Sequence, residues 1–376
     1  MPDSRNWFEI LPVQRQRRFL ASRREGVQIE VNGQWLVNFA SNDYLGLSVH
    51  SEINAAVTDS VASHGWGSGA SRLISGDDPE LHGLEKELAE WKGYEACLIV
   101  GSGMLANMGL LQALADRHAR LFTDKLNHAS LVDGARLSGA KVHRYAHLDM
   151  AQLEMLLEKH PAERRVIVSD GVFSMDGDAA DVSRLQALAA EYDAILVIDD
   201  AHGIGTLGPD GRGLTANLAG DTRLIEVGTF GKAFGSYGAF ILGTRELIEG
   251  LRQRLRTMIY STALPAAAPV AARVALQLIR QGELTRRLQA NVVLFKAEAK
   301  GLPLMASETA IQPLMIGSDA DALAAAEGLR EAGFFVPAVR PPTVPEGSAR
   351  LRITLSAAHT PEQIRNLVSA LRQVLK

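Results

Sequence analysis

From Ser51 to about Met258 the chain alternates short apolar runs with stretches of helical periodicity, and this alternation limits the fold more than any other feature. Runs at 96–100, 121–123, 141–145, 165–169, 194–198, 224–227 and 239–242 have the length of strands. Those at 194–198 and 224–227 are continuously apolar, the pattern of strands buried on both faces of a parallel sheet. Helical patterns separate most of the runs, as at 78–91, 150–159 and 182–192. The expected fold class is therefore α/β, with a mostly parallel or mixed central sheet. Ligands of open sheets sit beyond the carboxyl ends of the strands, so the residues that follow each run are the ones to inspect.

Two run ends carry chemistry. The run 194–198 leads into Asp199-Asp200-Ala201-His202-Gly203, and the run 224–227 into Thr229-Phe230-Gly231-Lys232. Lys232 is hemmed in by Phe230, Phe234, Gly231 and Gly235. Glycines let the backbone approach a ligand closely, and apolar neighbours lower an amine's pKa and make it nucleophilic. Such an amine can form an imine with an aldehyde such as pyridoxal phosphate. A carboxylate at the other strand end, Asp199, can pair with a protonated pyridine nitrogen and keep the ring an electron sink. The blander readings are a surface lysine in a Gly-rich turn, Asp199 as a helix N-cap, and His202 as a loop histidine bonded to backbone. They leave unexplained why both motifs close successive strand–helix units.

A chain of 376 residues can bury a large core and is expected to form two lobes. Its net charge of −4, with 22% charged residues, gives no support for binding nucleic acid or a membrane surface. One cysteine, Cys97, rules out an internal disulfide framework and suits a reducing, cytoplasmic setting. The N-terminus lacks the continuous apolar stretch of a signal peptide. The Ala-rich tract 263–278, with Pro265, Pro269 and Arg273, reads as a buried helix instead of a membrane span. No metal site is expected.

The two ends differ in character from the middle. Residues 1–25 mix Trp7, Phe8, Ile10 and Leu11 with Arg15, Arg17, Arg18, Arg23 and Arg24. They read as a solvated helical face, or as an arm whose arginines meet an anionic ligand. Residues 27–40 alternate like a hairpin with Asn32-Gly33 as its turn, and the polar loop 41–46 follows. Beyond 285 come a strand at 310–316, a helix at 319–332, and strands at 334–339 and 350–355. Thr360-Pro361-Glu362-Gln363 opens a last helix with a capping box. The expected division is an N-terminal arm (1–50), a large domain (51–284) and a small C-terminal α+β domain (285–376).

One motif argues for a different enzyme. Gly101-Ser102-Gly103-Met104-Leu105-Ala106 fits the glycine fingerprint of a dinucleotide site, and Asp124 stands where a ribose-binding acid is expected. A nicotinamide-dependent oxidoreductase is thus the rival. Against it, a long segment precedes the motif, and Lys232, Asp199 and His202 are left without roles. A tight turn into a helix N-terminus also binds any other phosphate.

Taken together, SNDYLGL (41–47), GSGASRLISG (67–76), SGMLAN (102–107), NHASLVDG (127–134), DGVFSMDGD (170–178), DDAHG (199–203), TFGKAFG (229–235) and RPPTVPEGSARLRITLSAAHT (340–360) span nearly the whole chain. The set resembles the α-oxoamine synthases, a family of fold type I transferases that depend on pyridoxal 5′-phosphate. The resemblance implies that Lys232 binds the cofactor covalently, Asp199 pairs with its pyridine nitrogen, His202 bonds its phenolic oxygen and His128 stacks on its ring. It puts Ser174 near the cofactor, and Thr229, Gly103 and Met104 on its phosphate side, where many relatives carry an aromatic residue in place of Met104. Asn42 and Arg352 would hold an amino-acid carboxylate, with Arg15 and Thr343 as further substrate contacts. The NHASL and RPPTVP segments are most similar to the biotin-pathway branch, which condenses L-alanine with a pimeloyl thioester of coenzyme A or acyl carrier protein. A glycine-using sister activity is the alternative within the family, and the resemblance implies a homodimer.

Overall fold

Three sheets organise the computed structural model, which describes residues 7–8 and 19–375. The chain enters through β1 (Ser22–Glu25), β2 (Gln28–Val31) and β3 (Gln34–Asn38), joined antiparallel. Asn32 and Gly33, both at positive φ, make the turn between β2 and β3. Arg23 and Arg24 therefore lie on an exposed strand, where the sequence pattern suggested a helical face.

The central sheet contains β4 (Ala96–Val100), β5 (Arg120–Asp124), β6 (Lys141–Tyr145), β7 (Arg165–Asp170), β8 (Ile195–Asp199), β9 (Leu224–Thr229) and β10 (Ala239–Gly243), in the order β4-β10-β9-β8-β7-β5-β6. From β9 to β6 every pairing is parallel, whereas β10 is antiparallel to both β9 and β4. The sheet is mostly parallel because helices cover both faces. Val197 and Ile225 pack on one side with the helices Gly103–Leu114, Ala129–Leu137 and Arg245–Arg254. Leu196, Ile198 and Leu224 pack on the other with Met150–Lys159 and Val182–Glu191. Each such side chain contributes about 1.5–3 kcal/mol on full burial. Parallel pairing brings the ends of β5, β7, β8 and β9 to one edge, so Asp124, Asp170, Asp199 and the chain leading to Lys232 leave the sheet together.

The Ala-rich tract forms the helix Ala267–Arg280, with Ala271, Ala272, Ala275, Leu276 and Ile279 buried. Among the described residues no helix is long and apolar enough to cross a membrane. The smaller C-terminal domain is built on β11 (Ile311–Gly317), β12 (Phe334–Phe335), β13 (Ala338–Val339) and β14 (Ala349–Thr354). Residues 334–339 are not one strand: β12 pairs with β3 while β13 pairs with β14. Pro337 lies between them and has no N–H to give a ladder. The last helix, Pro361–Val374, carries the full capping box of Thr360 and Gln363.

Candidate active site

Lys232 follows β9 in a tight turn closed by bonds from Gly235 N to the Lys232 carbonyl (2.9 Å) and from Ser236 N to the Phe230 carbonyl (2.9 Å). Phe230 and Phe234 are buried and meet edge to face, which anchors the turn to the core. A Cβ at Gly235 would stand 2.3 Å from the Ser48 nitrogen, so only glycine permits this approach. Among the described residues the Lys232 amine has no hydrogen bond or ion pair. Burial lowers its pKa to about 8, and this outweighs the attraction of Asp199 and Asp170.

A cavity of about 200 Å³ opens in front of that amine, and Lys232, Asp199, His128, His202, Ser174, Thr229, Gly103 and Met104 all line it. Asp199 is buried and its carboxylate is fixed from two sides, by Ala201 N (3.0 Å) and Asn107 Nδ2 (2.6 Å). Asn107 also bonds Ser130 Oγ (2.8 Å), which lies 2.8 Å from His128 Nδ1. His128 N donates to Asp170 Oδ2 (2.6 Å). Burial, aided by the Lys232 charge, lowers the His128 pKa, although Asp199 pulls it upward. Burial and the nearby Asp199 charge drive Asp170 well above the carboxylate range.

On the other flank, His202 Nδ1 and the Tyr44 hydroxyl are 2.6 Å apart. Burial, with the charges of Lys232 and Arg352, drives His202 well below its usual pKa, so the ring is neutral. Burial pushes Tyr44 up to about 12, against the pull of Arg352. The Tyr44 hydroxyl also lies 3.2 Å from Asn42 Oδ1, which accepts from Arg352 Nη2 (3.1 Å). Arg352 extends from β14, donates Nε to the Ser174 carbonyl (2.6 Å) and Nη1 to Thr354 Oγ1 (2.9 Å), and is 8% exposed. The C-terminal domain thereby sets a nearly buried guanidinium on the carbonyl of Ser174, a residue of the cavity wall.

At the opposite end, Ser102 Oγ caps Leu105 N (3.3 Å), and the Gly103 and Met104 N–H groups have no partner among the described residues. Thr229 Oγ1 donates to the Gly238 carbonyl (3.0 Å) and accepts from Gly231 N (3.1 Å). Asn42 and Arg352 do not line the cavity but stand beside its Ser174, and two further expected residues are not brought in at all. Thr343 is exposed on the loop after Arg340 and is absent from the cavity wall, and Arg15 lies outside the described residues. Asp124 is also spoken for, since its carboxylate takes the N–H groups of Leu126 and Leu148 and faces His147. That removes the ribose contact on which the dinucleotide reading depended. Tyr44, Asn107, Ser130 and Asp170 were missed. Asp170 ends an apolar run just as Asp199 does, and Asn107 interrupts an apolar helix, so both had a visible signal.

Residues 35–371 match the aminotransferase class I and II family. An 8-amino-7-oxononanoate synthase of Saccharophagus degradans is 46% identical over 96% of this chain and 92% of its own length. Another, from Methylococcus capsulatus, is 48% identical over 95% and 93%. The chain belongs to the aminotransferase class I and II family. Within this family it superposes on a serine palmitoyltransferase of S. paucimobilis solved with a pyridoxal phosphate–myriocin adduct, with TM-score 0.90, 26% identity and coverage of 95% and 91%. An 8-amino-7-oxononanoate synthase of Francisella tularensis gives TM-score 0.79, 30% identity and coverage of 90% and 98%. The cavity beyond the strand ends is the place to look for chemistry.

Proposed function

We propose that this chain condenses L-alanine with a pimeloyl thioester, releasing carbon dioxide and the free thiol carrier and forming 8-amino-7-oxononanoate for biotin synthesis. The observation that carries the reading is the meeting of Lys232, Asp199, His202 and His128 in one cavity of a chain nearly half identical to 8-amino-7-oxononanoate synthases. The shape score is higher for serine palmitoyltransferases, but sequence identity, which governs the side chains around a substrate, is higher for the oxononanoate enzymes.

Pyridoxal phosphate fits the cavity. Among the described residues the Lys232 amine and the N–H groups of Gly103 and Met104 have no partner, and Asp199 supplies a fixed carboxylate, which together suit the aldehyde, phosphate and pyridine nitrogen. When bound, the cofactor supplies an aldehyde for the amino acid and an electron sink for the pair left at Cα. Lys232, whose pKa burial lowers to about 8, takes and returns the Cα proton. Asp199, its carboxylate held by Asn107 and Ala201 N, would pair with the pyridine nitrogen and keep it protonated. His202, tied to Tyr44 through Nδ1, would offer its other nitrogen to the phenolic oxygen. His128 would cover the ring and Ser174 its edge, while Gly103, Met104 and Thr229 would hold the phosphate. Arg352 and Asn42 would hold the alanine carboxylate, with Arg15 and Thr343 as further substrate contacts.

The active species is proposed to be a homodimer. Trp66, Leu73, Ile74, Tyr237 and Tyr260 are each more than 60% exposed, and an apolar cavity of about 550 Å³ runs beside Trp66 and Tyr237. The arm, large-domain and small-domain division at 50 and 284, and a cytoplasmic setting suited to the free thiol of Cys97, belong to the same reading. Turnover of alanine, glycine and serine against pimeloyl, acetyl, succinyl and palmitoyl thioesters tests it. The highest kcat/KM is expected for alanine with a pimeloyl thioester. One methyl is worth only about 1–3 kcal/mol, so weaker use of glycine is compatible. A preference for glycine with a short acyl group would assign a sister activity.

A further inference from the structure

Asp124, excluded from the cavity, points to a second arrangement. Its Oδ1 lies 3.0 Å from Nδ1 of His147, while Nε2 of the same ring lies 2.9 Å from Oδ2 of Asp178. A neutral imidazole donates from one nitrogen only. With a carboxylate at each nitrogen, the ring serves as an imidazolium making two charge-assisted bonds. Asp124 is further fixed by the N–H groups of Leu126 (2.8 Å) and Leu148 (2.9 Å), and Phe173 meets the imidazole edge-on with centroids 4.4 Å apart.

Phe173 and Asp178 both belong to the loop 171–178, which is folded tightly by bonds from Phe173 N to the Asp178 carbonyl (3.0 Å) and from Gly177 N to the Phe173 carbonyl (2.9 Å). Side chains of the C-terminal domain hold its other side. Ser307 and Thr309 donate to the Gly177 carbonyl (2.8 and 3.0 Å), and Arg350 pairs with Asp176 (2.7 Å). Arg352 donates to the Ser174 carbonyl (2.6 Å). Among the described residues, the large-domain side chain that bonds residues 172–178 from outside the loop is His147. The loop thus hangs between a charged bridge on the sheet edge and the arginines of β14.

We propose that His147, bridging Asp124 to Asp178, is a positioning residue that fixes the loop 171–178 and, through the Ser174 carbonyl, aims Arg352 at the amino-acid carboxylate. The inference rests on the role proposed for Arg352 and adds the device that sets it. Losing the bridge frees the Asp178 end of the loop, lets the Ser174 carbonyl shift, and spoils a two-point carboxylate contact. The cost falls on the amino acid, because the thioester makes no use of that contact.

Steady-state kinetics of His147→Ala and Asp178→Asn, which break the bridge from opposite ends, test the proposal, with Arg352→Lys and the His147→Ala/Arg352→Lys double variant as references. The expected result is an alanine KM raised about tenfold in each bridge variant, equivalent to about 1.4 kcal/mol. The thioester KM should stay within about twofold, and in the double variant His147→Ala should add little to Arg352→Lys. A lower unfolding temperature with both KM values unchanged, or with both moved together, would overturn the proposal and leave a purely structural bridge. An unchanged alanine KM in Arg352→Lys would instead sink the carboxylate role of Arg352. A raised KM there, with both bridge variants normal, would overturn the role of His147 alone.

Discussion

Lys232 shows how one residue's surroundings decide its chemistry. A lysine in water is an ammonium ion at neutral pH, whereas burial here brings the amine to about 8. Only the neutral amine attacks an aldehyde, so the sign of the pH effect is fixed. In protein stripped of cofactor, the rate of recombination with pyridoxal phosphate should rise as pH increases through about 8 and level off above it. Borohydride reduction of the reconstituted protein should then leave a phosphopyridoxyl group on the peptide containing Lys232. Stopped-flow absorbance and peptide mass spectrometry provide the two checks. A pH-independent rate, or label on another lysine, would remove Lys232 from its role. Tyr44 makes the complementary point, because burial raises its pKa to about 12 against the pull of Arg352 and keeps its proton in place.

Between elements, one ion pair lies out of reach of water. Lys92 ends the helix Pro79–Lys92, Glu226 lies in β9, and their charged atoms are 2.7 Å apart with both side chains fully buried. Thr215 and Tyr94 complete the carboxylate's bonding, and the Arg212 carbonyl also accepts from the ammonium. The pair fastens a helix to the strand that leads to Lys232. Removing one partner leaves an uncompensated buried charge, which costs about 3–5 kcal/mol, while replacing both by apolar groups of similar volume is far milder. Lys92→Met should therefore lower the thermal unfolding midpoint sharply, and Lys92→Met/Glu226→Leu should recover most of the loss. Equal midpoints for the single and double variants would mean that the pair carries no special weight.

At the scale of the whole molecule, exposed Trp66 and Tyr237 share the wall of an apolar cavity, and the loop carrying Trp66 is tied down nearby. Ser68 Oγ and Ala70 O bond to Ala263, linking the loop 65–76 to the segment after Tyr260. An apolar face of that kind is costly to leave in water. Analytical ultracentrifugation of the purified protein should give a dimer, and Trp66→Glu should shift it toward monomer at micromolar concentration with a parallel fall in turnover. A monomeric parent protein, fully active, would refute the dimer proposal.

How much the sequence determined depends on the range over which each feature is encoded. The seven central strands, the buried Ala-rich helix and the capped last helix were legible because periodicity, capping and turn chemistry act within a few residues. Lys232, Asp199 and His202 were legible because parallel strands end at a common edge. Family resemblance added His128, Asn42 and Arg352, which no local pattern marks. The division of residues 334–339 between two sheets was not foreseen, because β12 has its partner in β3 near the other end of the chain. Asn107 beneath Asp199, Tyr44 on His202, and Asp124 bound to His147 instead of facing a ligand came into view only with the tertiary structure. The physical reason is that a side chain's hydrogen-bond partner in a packed core is chosen by spatial proximity, and proximity between distant residues is set by packing.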